Sequence, residues 1–293
     1  MSAWGPIFAL LTALAWSTGI VFFTRVGQTI GPVGLNVLKN LIALVCFMVT
    51  LAFLQPSFAE VPATHYAILL ASGALGIGIA DTLFFRALNI LGASRAAIFD
   101  SVYPPVIALF SYLYLGEPVS LLDGLGGLLV IGSCVLVSLG TTGAQLSRAR
   151  LLEGVGLSTL AIVLMGIGIV GVKPLLELYP VVLTTSTRLV GGIAMLIVVT
   201  LPSARLRAEV TMALRPQPVW KLAVPGAIVG TFVSLLCWIA GFKYAPASVA
   251  AILNQTSTVL IVLMAAVFLK EPLDGRKLIA VALAFGGCVL VLL

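Results

Sequence analysis

The chain has 293 residues, of which 61% are hydrophobic and only 9% charged, more apolar side chain than a soluble domain of this size can bury. Sixteen Lys and Arg against ten Asp and Glu give a net charge of +6, yet no basic cluster stands apart from the apolar segments, which argues against a nucleic-acid binder. The class is integral membrane protein.

A helix needs about 20 mostly apolar residues to cross the hydrocarbon core. Ten such stretches follow one another: 3–24, 32–54, 66–88, 93–115, 120–140, 154–173, 181–201, 219–242, 247–269 and 274–293. The first lacks a basic leader and a small-residue cleavage site, so it reads as a retained span rather than a signal peptide. It carries Trp16, followed by Ser17, Thr18 and Gly19. The second carries Lys39 about a third of the way in, and the third carries Asp81 near its middle. In the fourth, Asp100 precedes Tyr103-Pro104-Pro105. Two prolines donate no hydrogen bonds, so Pro104 and Pro105 should break this helix, and freed carbonyls are tolerated where a span faces a cavity or protein. The fifth and sixth are glycine-rich, which suits close helix packing. The seventh carries Arg188, which an offset of 149 aligns with Lys39. A connector at 202–218 leads to the eighth span with Trp238, and the ninth holds Asn254 and Gln255.

Residues Ala93–Leu139 laid over Ala247–Leu293, an offset of 154 without a gap, agree at 17 of 47 positions. Glu117-Pro118 recurs as Glu271-Pro272, read as structural turns, and Cys134 recurs as Cys288. The expected fold is all-α integral membrane, ten transmembrane helices in two five-helix repeats: 1–142, then a 143–153 link, then 154–293. Five is odd, so the repeats are inverted, the architecture of a carrier that opens alternately to each side. Ten is even, so both termini share a face. Of the fourteen Lys and Arg outside spans, twelve flank the opposite face, which by the positive-inside rule puts the termini outside the cytoplasm.

Ionisable groups within spans are costly and face the bundle interior or a water-filled cavity. Lys39 or Arg188 would attract a carboxylate or phosphate. Asp100 with Asn254 and Gln255 would meet an amino group, which makes the facing polar patches of spans four and nine the expected substrate site. Trp16, Tyr103 or Trp238 would pack the rest of the ligand. Asp81 is placed to pair with Lys39 or Arg86, and proton coupling through Asp81 or Asp100 is the alternative. The plainer readings are fixed salt bridges and a capped kink. The four cysteines lie in apolar spans as small hydrophobes, and the sole histidine, His65, sits in the loop before the third span. No metal site, cofactor motif or catalytic set is expected.

The ten spans in two halves, the Glu-Pro turns and the glycine-rich fifth and tenth spans resemble the EamA family of the drug/metabolite transporter superfamily. Ala15-Trp16-Ser17-Thr18 and Gly31-Pro32-Val33-Gly34 resemble in particular the YddG-type exporters of aromatic amino acids. The resemblance implies a multi-pass exporter of the bacterial inner membrane, with a cavity formed by spans 1–4 and 6–9. It also implies cytoplasmic termini, against the charge bias. The expected function is export of amino acids, aromatic or hydrophobic, by alternating access. The expected partners are those amino acids or similar small metabolites and membrane lipids, and one chain already contains both halves. Sugars, drugs or other metabolites could use the same fold, as could a facilitative channel, since fold does not fix substrate.

Overall fold

A computed structural model of the protein describes residues 4–54, 61–116, 120–138 and 146–290. Among them all regular structure is helical. The long helices are α1 (Trp4–Ile30), α2 (Pro32–Leu54), α3 (Ala63–Leu91), α4 (Ala93–Leu115), α5 (Leu121–Ser138), α6 (Arg148–Val170), α7 (Val181–Thr200), α8 (Trp220–Tyr244), α9 (Ala247–Phe268) and α10 (Gly275–Leu290). Among the described residues eight of these, all but α5 and α10, are long and apolar enough to cross a membrane. Single glycines turn α1 into α2 and α3 into α4: Gly31 and Gly92 adopt φ of 73° and 81°, which a side chain would resist.

Large apolar side chains such as Leu14, Val45, Val198 and Val267 point outward, where lipid replaces water as their solvent. Polar side chains turn inward instead; Asn36, Lys39, Asn40, Thr185 and Arg188 are all buried. α1 packs on α8 and α9, while α6 packs on α3 and α4; α3 lies along α7, and α5 pairs with α10. Glycines make the tightest seams. A Cβ on Gly73 of α3 would stand 1.7 Å from the Arg188 carbonyl oxygen, and one on Gly191 of α7 would stand 2.1 Å from that of Leu70. With no Cβ in the way, the two backbones touch.

Four helices are irregular, at matched places. α3 widens into a π-helical turn at Ala74–Ala80 and α8 at Ile228–Val233, separated by the same offset of 154. α4 breaks at Ser101–Val102 and α9 at Gln255, again 154 apart. The prolines are not in the break. Pro104 and Pro105 occupy the first turn of the segment after it, where a missing N–H costs nothing, and α9 breaks with no proline at all. What the breaks share is a buried polar knot. Gln255 Nε2 donates to Ser101 Oγ at 3.1 Å, and Thr258 Oγ1 donates to the freed Ala97 carbonyl at 3.1 Å.

Several connections differ from the sequence reading. The 202–218 connector contains a helix, Ala204–Leu214, whose Glu209 accepts from the Val33 and Gly34 amides at 2.7 and 2.9 Å, capping α2. Glu271 does more than close α9: it accepts from the amides of Ala93 and Ser94 at the start of α4, at 2.7 and 3.1 Å. α6 begins at Arg148, capped by Ser147, so part of the expected 143–153 link is helix. His65 lies in the first turn of α3 rather than before it, and its Nδ1 is 2.7 Å from the Tyr179 hydroxyl. Glu117-Pro118 and the side chains of Cys134 and Cys288 fall outside the described residues.

Candidate functional site

The wide turns, the breaks and the buried cations converge on one central cavity between α1–α4 and α6–α9. Its lining surrounds about 870 Å³ of space free of atoms, the open solvent at its mouth included. Trp16, Lys39, Asp100 and Tyr103 line it from the first half of the chain, as do Arg188, Trp238, Asn254 and Gln255 from the second. Asp81 joins them. Residues expected at the site on separate grounds therefore share one space.

The two cations meet different fates. Lys39 Nζ lies 2.7 Å from Asp81 Oδ2 and 3.1 Å from Asn40 Oδ1, above the Phe85 ring. Of the two partners open to Asp81, Lys39 is the one it takes; Arg86 turns outward to Glu153. Arg188 is just as buried, yet none of its three guanidinium nitrogens has a hydrogen-bond partner among the described residues. Its charge rests over the Trp238 ring, 5.5 Å from the centroid. The hydroxyls beside it in α7 make no hydrogen bond to it. Thr185, Ser186 and Thr187 each donate back to the carbonyl one turn earlier, at 2.6, 2.5 and 2.9 Å.

Removing one partner of a buried pair strands the other charge, at a cost of about 3–5 kcal/mol. Lys39→Met is therefore expected to melt well below the wild type in detergent, and adding Asp81→Leu should recover most of the loss. A single variant as stable as the wild type would mean that water, not Lys39, solvates Asp81.

Opposite charges are also unspent. Asp100 is half-buried and makes no hydrogen bond or ion pair among the described residues. Among the described residues neither amide atom of Asn254 has a hydrogen-bond partner, nor does the Thr231 hydroxyl. Gln255 lines the cavity, but its nitrogen is committed to the knot with Ser101 and Thr258. Trp16 packs on Phe84 with ring centroids 5.9 Å apart, and Trp238 packs on Phe242 at 5.4 Å. Among the described residues the lining thus holds a neutral Lys39–Asp81 pair, an Arg188 and an Asp100 that neither pair nor hydrogen-bond, and aromatic walls. Among the described residues no cluster of His, Cys, Asp or Glu is arranged to hold a metal ion.

Sequence reasoning missed the supports. Asn36 Nδ2 donates to the Ile77 carbonyl, within the wide turn of α3, and to Thr82 Oγ1, both at 2.9 Å. Asn40 in turn donates to Asn36 Oδ1 at 2.8 Å. An amide inside an apolar span was the available signal.

Residues 3–139 and 152–293 each match the EamA-like transporter family, nearly the whole chain in two copies. The chain belongs to this family. Its members are transporters, and the protein is a multi-pass membrane protein. Protein PecM of Dickeya dadantii (strain 3937) is 27% identical over 228 residues, covering 76% of this chain and 72% of PecM. An uncharacterized transporter of a Sinorhizobium species, encoded in the cobO 3' region, is also 27% identical, over 47% of this chain and 99% of its own length. A crystal structure with 18% identity superposes with a TM-score of 0.74, covering 99% of this EamA-like chain and 96% of the other, a likeness of fold.

Proposed function

We propose that this EamA-like protein exports amino acids with aromatic or other hydrophobic side chains across the bacterial inner membrane by alternating access. The observation that carries the reading is Arg188: a fully buried guanidinium with no hydrogen-bond partner among the described residues, facing a cavity that Asp100 also lines. An unpaired buried charge is costly, so its natural partner is a ligand. A zwitterion supplies a carboxylate for the fork of Arg188 and an ammonium for Asp100, while Trp16, Tyr103 and Trp238 offer surface to its side chain. A sugar has neither charge.

In this reading α5 and α10 also cross the membrane, completing ten spans in two inverted five-helix halves. The matched wide turns and breaks support it, as does the reciprocal packing of α1 on α8 and α9 and of α6 on α3 and α4. Rocking of one half against the other would expose the cavity to each side in turn. Asp81 is occupied by Lys39, so Asp100 is the carboxylate best placed to carry a coupled proton.

The test is uptake of labelled tryptophan, phenylalanine, threonine and a sugar into liposomes containing the purified protein, with and without a pH gradient. Saturable uptake with counterflow is expected for tryptophan and phenylalanine, and none for the sugar. Sugar flux without amino-acid flux would overturn the substrate, and single-channel currents would overturn the carrier.

A further inference from the structure

The cavity is lined twice by the same positions. At the offset of 154, Gly76 answers to Gly230, Phe84 to Trp238, Asp100 to Asn254 and Tyr103 to Ser257, and all eight line it. Lys39 and Arg188 correspond at the offset of 149, and so do Trp16 and Met165. Both halves thus present a buried cation to the same space. The acid beside the first cation has no equal beside the second: the counterpart of Asp81 is Leu235. Asp81 sits 2.7 Å from Lys39 Nζ, whereas Leu235, packed near Leu189 where α7 meets α8, offers Arg188 nothing to bond.

We infer that Asp81 sets the number of carboxylates the cavity accepts, by filling one of two equivalent anion positions and leaving the other, at Arg188, for a monocarboxylate ligand. This rests on Arg188 being the ligand's anchor. A dicarboxylate entering the cavity finds its second cation already neutralised by Asp81, so its second carboxylate is left without a partner. Selection against it therefore comes from an occupied anion position.

Binding of labelled tryptophan to the full-length protein in nanodiscs, with glutamine and glutamate as competitors, tests this. The two competitors match in shape and differ in charge at the tip. The wild type is expected to favour glutamine at least tenfold. Asp81→Asn releases Lys39 and should shift the glutamate-to-glutamine ratio at least tenfold toward glutamate. Leu235→Asp gives Arg188 the internal partner that Lys39 already has, and should weaken tryptophan at least tenfold in a folded protein. Leu235→Asn, of similar size without the charge, should weaken it less. Should Asp81→Asn fail to fold, Leu235→Asp alone decides. Tryptophan binding unchanged in Leu235→Asp but lost in Arg188→Met overturns the role of Asp81 and leaves the anchor standing. Unchanged binding in Arg188→Met removes the anchor itself.

Discussion

Arg188→Met is expected to stop transport while making the protein harder to unfold. The two effects share one cause. The guanidinium is buried, makes no hydrogen bond among the described residues, and lies over the face of Trp238. Its desolvation is a standing cost whenever no ligand is bound, eased by whatever water enters. Methionine has a similar reach, no charge and a flexible chain that fills irregular space. Even a net gain of about 1 kcal/mol would raise the melting temperature by roughly 2–4 °C in a protein of this size. The same change removes a two-pronged contact to the ligand carboxylate, for which about 3 kcal/mol, or more than 100-fold in flux at low substrate, is a conservative expectation. Arg188→Lys should recover little, because an ammonium cannot reproduce the planar fork. Uptake into liposomes, normalised to protein recovered by flotation, and melting in detergent measure the two effects. Normal uptake by Arg188→Met would sink the functional reading; a sharply lowered melting point would show that Arg188 is structural.

The second large effect is expected at Gly73. The Cβ of any replacement would lie 1.7 Å from the carbonyl oxygen of Arg188, a backbone atom that no rotamer can move aside. α3 and α7 would have to part, and Arg188 travels with α7. Gly73→Ala is expected to cost about 3 kcal/mol or more, near the upper end of overpacking penalties, and Gly73→Val should yield little folded protein. Gly191→Ala meets the reverse side of the same seam, 2.1 Å from the Leu70 carbonyl. Gly124→Ala in α5 is the contrast, since nothing lies within 4 Å of its added Cβ and alanine favours helix. Monodispersity on size exclusion and the melting curve read this out. A Gly73→Ala protein that melts with the wild type would mean that the seam is looser than its geometry.

Much of the site was legible in the sequence because a charge inside an apolar span has few places to go. That one rule brought Lys39, Asp81, Asp100 and Arg188 to the interior, and the cavity holds all four. The choice of Lys39 over Arg86 as partner for Asp81 was not legible. It depends on how far α3 is rotated below its wide turn, and Gly76-Ile77-Gly78 announces close packing, not an altered helical pitch. The break in α4 was seen for an incomplete reason: prolines draw the eye, yet α9 breaks at the corresponding place through Gln255 and its hydrogen bonds. Glu209 escaped because its helix is short and polar on a connector, and its target, the start of α2, lies far away in sequence. Lys39 and Arg188 looked alike along the chain; only the third dimension separates a satisfied cation from an open one.

The wide turns also belong to both halves alike. A π-helical turn closes its hydrogen bonds one residue farther along than an α-helical turn, and such turns are frequent at functional sites. Both copies of the EamA-like unit have it, at Ala74–Ala80 and Ile228–Val233, in register with each other. The wider pitch is therefore a property of the repeated unit, present at the same depth in each half. Asp81 and Leu235 stand at one position of that unit, and there the two halves differ in charge.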